Sequence, residues 1–93
     1  MSPQPKVTKN FVIPNILGIH ARAAAQFVKV ATPFHSEITV VKDGRDVNGK
    51  SIMGLLMLAA SKGTEITIIA EGDDAEQALQ EIGKLIENKF GEK

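Results

Sequence analysis

The chain has 93 residues, and its 11 Lys and Arg balance 11 Asp and Glu for a formal charge of zero. That balance excludes whole-chain steering toward nucleic acid or anionic membrane, and no apolar run reaches the length of a membrane span. There is no cysteine and no apolar leader, so a disulfide scaffold is excluded and the cytoplasm is the expected location.

The length fits one domain, residues 1–93, with 1–6 expected as a loose tail around Pro3 and Pro5. Residues 7–13 read as a strand, with Lys9, Phe11 and Ile13 on one face and Thr8, Asn10 and Val12 on the other. Pro14-Asn15 ends it, and residues 16–19 form an approach loop to His20. Residues 21–31 are the first helix, because Ala24, Phe27, Val28 and Ala31 recur at helical spacing. Thr32-Pro33 stops it, since proline disfavours helical geometry in the residue before it. His35 lies in the following loop, with no helix start and no arginine beside it, and is read as solvated. Residues 37–42 and 45–48 make a hairpin around Asp43-Gly44, a good tight-turn pair. Residues 52–60 form a short second helix, which 61–63 break; 65–70 are the last strand. Residues 73–90 are the longest helix, with Ala75, Leu79, Ile82, Ile86 and Phe90 as its apolar stripe and Gly91 as its close.

The order is therefore β-α-β-β-α-β-α. Each helix has one apolar side and the strands are short, so the expected class is α+β. The architecture is a two-layer open-faced sandwich, an antiparallel sheet covered on one face by three helices.

The candidate site is the run from Gly18 to Ala25, where an extended segment gives way to an alanine-rich helix. The first turn of a helix has N–H groups without intrahelical partners, and the dipole places positive potential there. An anion such as phosphate suits that position. His20 lies at the rim of this turn and Arg22 within it, while the amides of Ala21, Arg22 and Ala23 are the free donors. Positive potential from both sources favours a neutral, nucleophilic imidazole and receives incoming phosphoryl oxygens. With one His, one Arg, no base and no metal set, this suits a stoichiometric carrier rather than an autonomous enzyme, and no cofactor or metal is called for.

The Gly18-Ile19-His20-Ala21-Arg22 run, followed by Lys50-Ser51-Ile52-Met53, resembles the HPr family, the histidine-containing phosphocarriers of the bacterial sugar phosphotransferase system. The similarity extends from Val7 to about Phe90. It implies an HPr-like sheet of strand order 1-4-2-3. By the same resemblance, His20 takes a phosphoryl group on Nδ1 from enzyme I, which draws on phosphoenolpyruvate, and passes it to enzyme IIA domains, with Arg22 beside the phosphate. One departure is visible: the family usually has proline where this chain has Ala23. A regulatory carrier of the nitrogen-type branch, acting mainly by binding partners, is the alternative. A nucleic-acid-binding sandwich is disfavoured, since four Phe with no Tyr or Trp leave nothing to stack bases on. A monomer is expected, without membrane insertion.

Ser51 has the position of a helix cap, its hydroxyl accepting from an amide of the next turn. The helix behind it is apolar nearly all round, so part of Ile52, Met53 and Leu56 should stay exposed as a docking surface. In some members of the family the matching serine is phosphorylated by a dedicated kinase, and a serine kinase/phosphorylase is therefore a further implied partner. A phosphate there would be tolerated by the cap yet put charge into the apolar patch.

Overall fold

The computed structural model describes residues 5–92. Its elements are β1 (Lys6–Val12), α1 (Ala21–Ala31), β2 (Glu37–Lys42), β3 (Arg45–Asn48), α2 (Ile52–Met57), β4 (Glu65–Glu71) and α3 (Ala75–Glu87). A short 3-10 turn, Lys89–Gly91, follows. The sheet order is β1-β4-β2-β3 with every neighbour antiparallel, as the family resemblance implied. β4 and β2 are the interior strands, and β4 alternates cleanly: Ile66, Ile68 and Ala70 are buried, while Glu65 and Glu71 are exposed.

β1 runs along β4 from Lys6↔Glu71 to Val12↔Glu65. The strand thus begins at Lys6, which the sequence reading had assigned to the tail, because this register gives Lys6 a partner. Residues 1–4 of that expected tail lie outside the described residues. The imperfect alternation of β1 resolves into Phe11 and Ile13 buried and Lys9 exposed, its ammonium 5.1 Å from the Phe11 ring centre. β2 and β3 meet from Thr39↔Asn48 to Lys42↔Arg45 around Asp43 and Gly44, whose φ values of 51° and 78° form the tight hairpin turn.

All three helices cover one face. Ala23, Ala24, Phe27 and Ala31 of α1 join Leu55 of α2 and Ala78, Ile82 and Ile86 of α3 in one core with the inward residues of the strands. Val28 and Leu79, read as part of the buried stripes, are only half-buried. Two helices are shorter than their periodicity implied. α2 stops at Met57, and the carbonyl of its C-cap residue Leu58 accepts from Lys42 Nζ at 3.0 Å. α3 runs from Ala75 to Glu87 because Lys89, Phe90 and Gly91 all turn to positive φ. The Phe90 ring still reaches the core, but from a left-handed turn rather than from the helix stripe.

Candidate functional site

His20 is the N-cap residue of α1, extended at φ −86° and ψ −179°, and its side chain makes no capping bond. Its carbonyl accepts from Ala24 N–H at 2.8 Å. The amides before that one, on Ala21, Arg22 and Ala23, have no protein acceptor among the described residues. The imidazole is 32% exposed. It shares a small cleft of about 90 Å³ with Arg22, Leu17, Phe90, Gly91 and Glu92. The cap, the guanidinium and the open amides are thus brought to one rim.

Two contacts set the height of His20 over the helix. Ile19 N–H donates to the Ala60 carbonyl at 2.9 Å, which ties the loop to the segment after α2. Gly18 takes φ 66° directly beside that carbonyl, and a Cβ there would run into the Ala60 oxygen. Only glycine accepts both the left-handed backbone and the close approach.

The sequence reading placed only positive charge at His20; the structure adds a carboxylate. Glu92 Oε1 accepts from the amides of Ile16 at 3.0 Å and Leu17 at 3.4 Å. Its Oε2 accepts from Asn15 Nδ2 at 3.0 Å and lies 4.0 Å from His20 Nε2. Asn15 is itself buried and donates a second bond to the Gly18 carbonyl at 2.7 Å. The Asn15 amide bond, then the Leu17 and Ile16 amides and the charge of His20, hold the Glu92 carboxyl below its ordinary value against the opposing cost of burial. Asn15 carried a signal that passed unused, since an asparagine in a loop commonly bonds the backbone a few residues on. Glu92 carried none, because its partners are 75 to 77 positions away.

Comparison with known proteins bears on this geometry directly. The family described as "PTS HPr component phosphorylation site" matches residues 7–88. The phosphocarrier protein HPr of Xylella fastidiosa is 46% identical over 81 residues, covering 87% of this chain and 91% of that protein. A crystal structure of HPr from Thermoanaerobacter tengcongensis superposes with a TM-score of 0.90 at 47% identity, covering 94% of this chain and 98% of that one. This chain belongs to the HPr family of phosphotransferase-system phosphocarriers. The family also holds the HPr-like protein Crh of Bacillus subtilis, 47% identical over 72 residues, covering 77% of this chain and 85% of that protein.

On this HPr-family framework Ser51 is the N-cap of α2, and its Oγ accepts from Gly54 N–H at 3.0 Å. Of the expected docking residues, Ile52 and Met53 are exposed, Met53 by 68%. Leu56 instead packs half-buried against the core, because the short α2 turns that side toward the sheet layer. Met57 is 60% exposed, and the loop before His20 adds Ile16 at 72% and Leu17 at 65%. Val12 at the end of β1 is exposed as well, so the exposed apolar residues come from three segments, and only the share from α2 was expected. His35 is exposed and makes no side-chain hydrogen bond or ion pair among the described residues. No helix of the described residues is long and apolar enough to cross a membrane.

Proposed function

We propose that this chain carries a phosphoryl group on His20, taking it from phospho-enzyme I and passing it to enzyme IIA domains, in the cytoplasm and as a monomer. The observation that carries the reading is the pairing of a partly exposed imidazole with a helix mouth whose first three amides have no acceptor. Phosphoryl transfer asks of a protein chiefly positioning and charge stabilisation. Open amides at Ala21 and Arg22 and the guanidinium of Arg22 supply donors to the oxygens of a group on the ring. Ala23, where the family usually has proline, is 1% exposed and belongs to the core rather than to the open rim.

The deciding experiment incubates the protein with enzyme I and labelled phosphoenolpyruvate, comparing wild type with His20→Ala. Label on wild type alone is expected. Label that persists on the alanine variant removes His20 as the acceptor. Adding enzyme IIA domains then separates onward transfer from mere storage of the group.

A second reading concerns regulation through Ser51 by a serine kinase/phosphorylase, with the protein acting on partners by its phosphorylation state. It is supported by a capping hydroxyl set beside exposed Ile52, Met53 and Met57. The catabolite-repression role in the description of Crh from Bacillus subtilis points the same way. A phosphate at the cap is favoured by the helix start but charges the apolar surface around it. Phosphorylating Ser51 with such a kinase and then measuring label transfer to His20 tests it; equal transfer rules it out.

A further inference from the structure

Chemistry at His20 depends on which ring nitrogen holds the proton, and one charged group meets the ring on a defined side. After α3 the backbone takes three successive left-handed residues, Lys89 at φ 56°, Phe90 at 55° and Gly91 at 75°. Two of these are not glycine, and such residues persist only where their surroundings over-determine them. Here the surroundings are plain: Phe90 is buried in the core, and the turn delivers Glu92 to the loop before His20. Three donors from that loop then hold the carboxylate in place, with Oε2 toward His20 Nε2 at 4.0 Å. That distance is too long for a direct hydrogen bond but short enough for the charge to act on the ring. The other charge on the cleft is the cation of Arg22.

We propose that Glu92 is a positioning residue for His20: its tethered carboxylate holds the proton of the neutral imidazole on Nε2 and leaves the lone pair on Nδ1. This rests on the reading of His20 as the phosphoryl acceptor. In the transfer step, Nδ1 donates its pair to phosphorus as the bond from phosphorus to the phosphorylated donor breaks, and that pair leaves with the donor. Nε2 keeps its proton, so the phosphorylated ring becomes cationic. The carboxylate of Glu92 is the counter-charge on the side away from the incoming group. Onward transfer reverses the same changes, returning a neutral ring with its proton still on Nε2. One anion thereby serves both directions without touching the phosphate.

The test uses the unphosphorylated full chain, so it needs no partner and can fail independently of the carrier reading. Nitrogen-15 shifts of the two histidine rings report the ratio of Nε2–H to Nδ1–H forms, with His35 as an internal reference. Glu92→Gln keeps an oxygen for the amides of Ile16 and Leu17 but removes the charge. The His20 ratio is expected to fall by roughly threefold or more in this variant, the order set by one charge lying nearer one ring nitrogen than the other. Hydrogen exchange at Ile16 and Leu17 should stay at the wild-type rate. Glu92→Ala removes both charge and tether and should show the same fall with faster exchange. An unchanged ratio in both variants overturns the proposal. So does a fall confined to Glu92→Ala, which would make Glu92 a loop clamp only. Label on His20→Ala would instead fault the carrier reading.

Discussion

The molecule has the same carboxylate device at two places, each next to a histidine or its backbone. At the start of α3, Asp74 accepts from the amides of His35 at 2.9 Å and Ser36 at 3.0 Å and from the Ser36 hydroxyl. After the end of α3, Glu92 accepts from the amides of Ile16 and Leu17 and from Asn15. Both tie a loop to the ends of one helix across long sequence separations. The Asp74 device engages only the backbone of its histidine. The Glu92 device meets an imidazole ring that also caps α1, with Arg22 on the same cleft. A clamped loop is therefore not a site by itself. What separates the two is a helix mouth with unpaired donors behind one of the rings.

The largest expected effect breaks the comparison outright. His20→Ala should lose all enzyme I-dependent label, whereas His35→Ala should keep it at the wild-type level, as scintillation counting after gel separation would show. Next comes the geometry of the His20 loop. Gly18→Ala should cost at least about 1–3 kcal/mol from the left-handed backbone alone, read as a lower denaturant midpoint, because its Cβ also displaces Ala60.

The Asp74 clamp should announce itself in acid. Its carboxyl is lowered from 3.8 to about 2, first by the Ser36 hydroxyl and then by the His35 amide. A depressed carboxyl stabilises the fold fully above its unfolded value and loses that contribution as pH falls through its folded value. Wild type should therefore lose Tm between about pH 4 and about pH 2 more steeply than Asp74→Asn, which takes up as much as about one proton fewer on unfolding. Glu92 has the same sign, and Glu92→Gln should flatten the profile in the same acid range.

Smaller effects concern the caps. Ser51→Ala should lose about 1 kcal/mol with its capping bond, measured by chemical denaturation. Ser51→Asp should keep the fold yet slow transfer through His20; unchanged transfer would remove the docking argument. Ala23→Pro should raise stability by about 0.4–1 kcal/mol through the unfolded chain.

How much of this was legible in the linear order depends on the range of the interactions. Ala24, Phe27 and Ala31 declared α1, Asp43-Gly44 declared the hairpin, and Ser51 declared a cap, all because those preferences act within one or two turns of backbone. The helix ends were less readable. Periodicity carried α3 on to Phe90 because that ring is buried, although it is buried from a left-handed turn. Likewise Leu56 shares the apolar character of Met57, yet only packing against the sheet decides which of them faces water.

The amino-acid order by itself determined the element sequence, the main buried positions of α1 and β4, and the meeting of His20 and Arg22 at a helix start, since each follows from local geometry with periods of two or 3.6 residues. Tertiary structure alone decided that Ala60 seats Gly18, that Asn15 is buried beneath the loop, and that Glu92 stands beside the imidazole. Those contacts join residues far apart in the chain, and a carboxylate carries no local mark of which distant amides it will find.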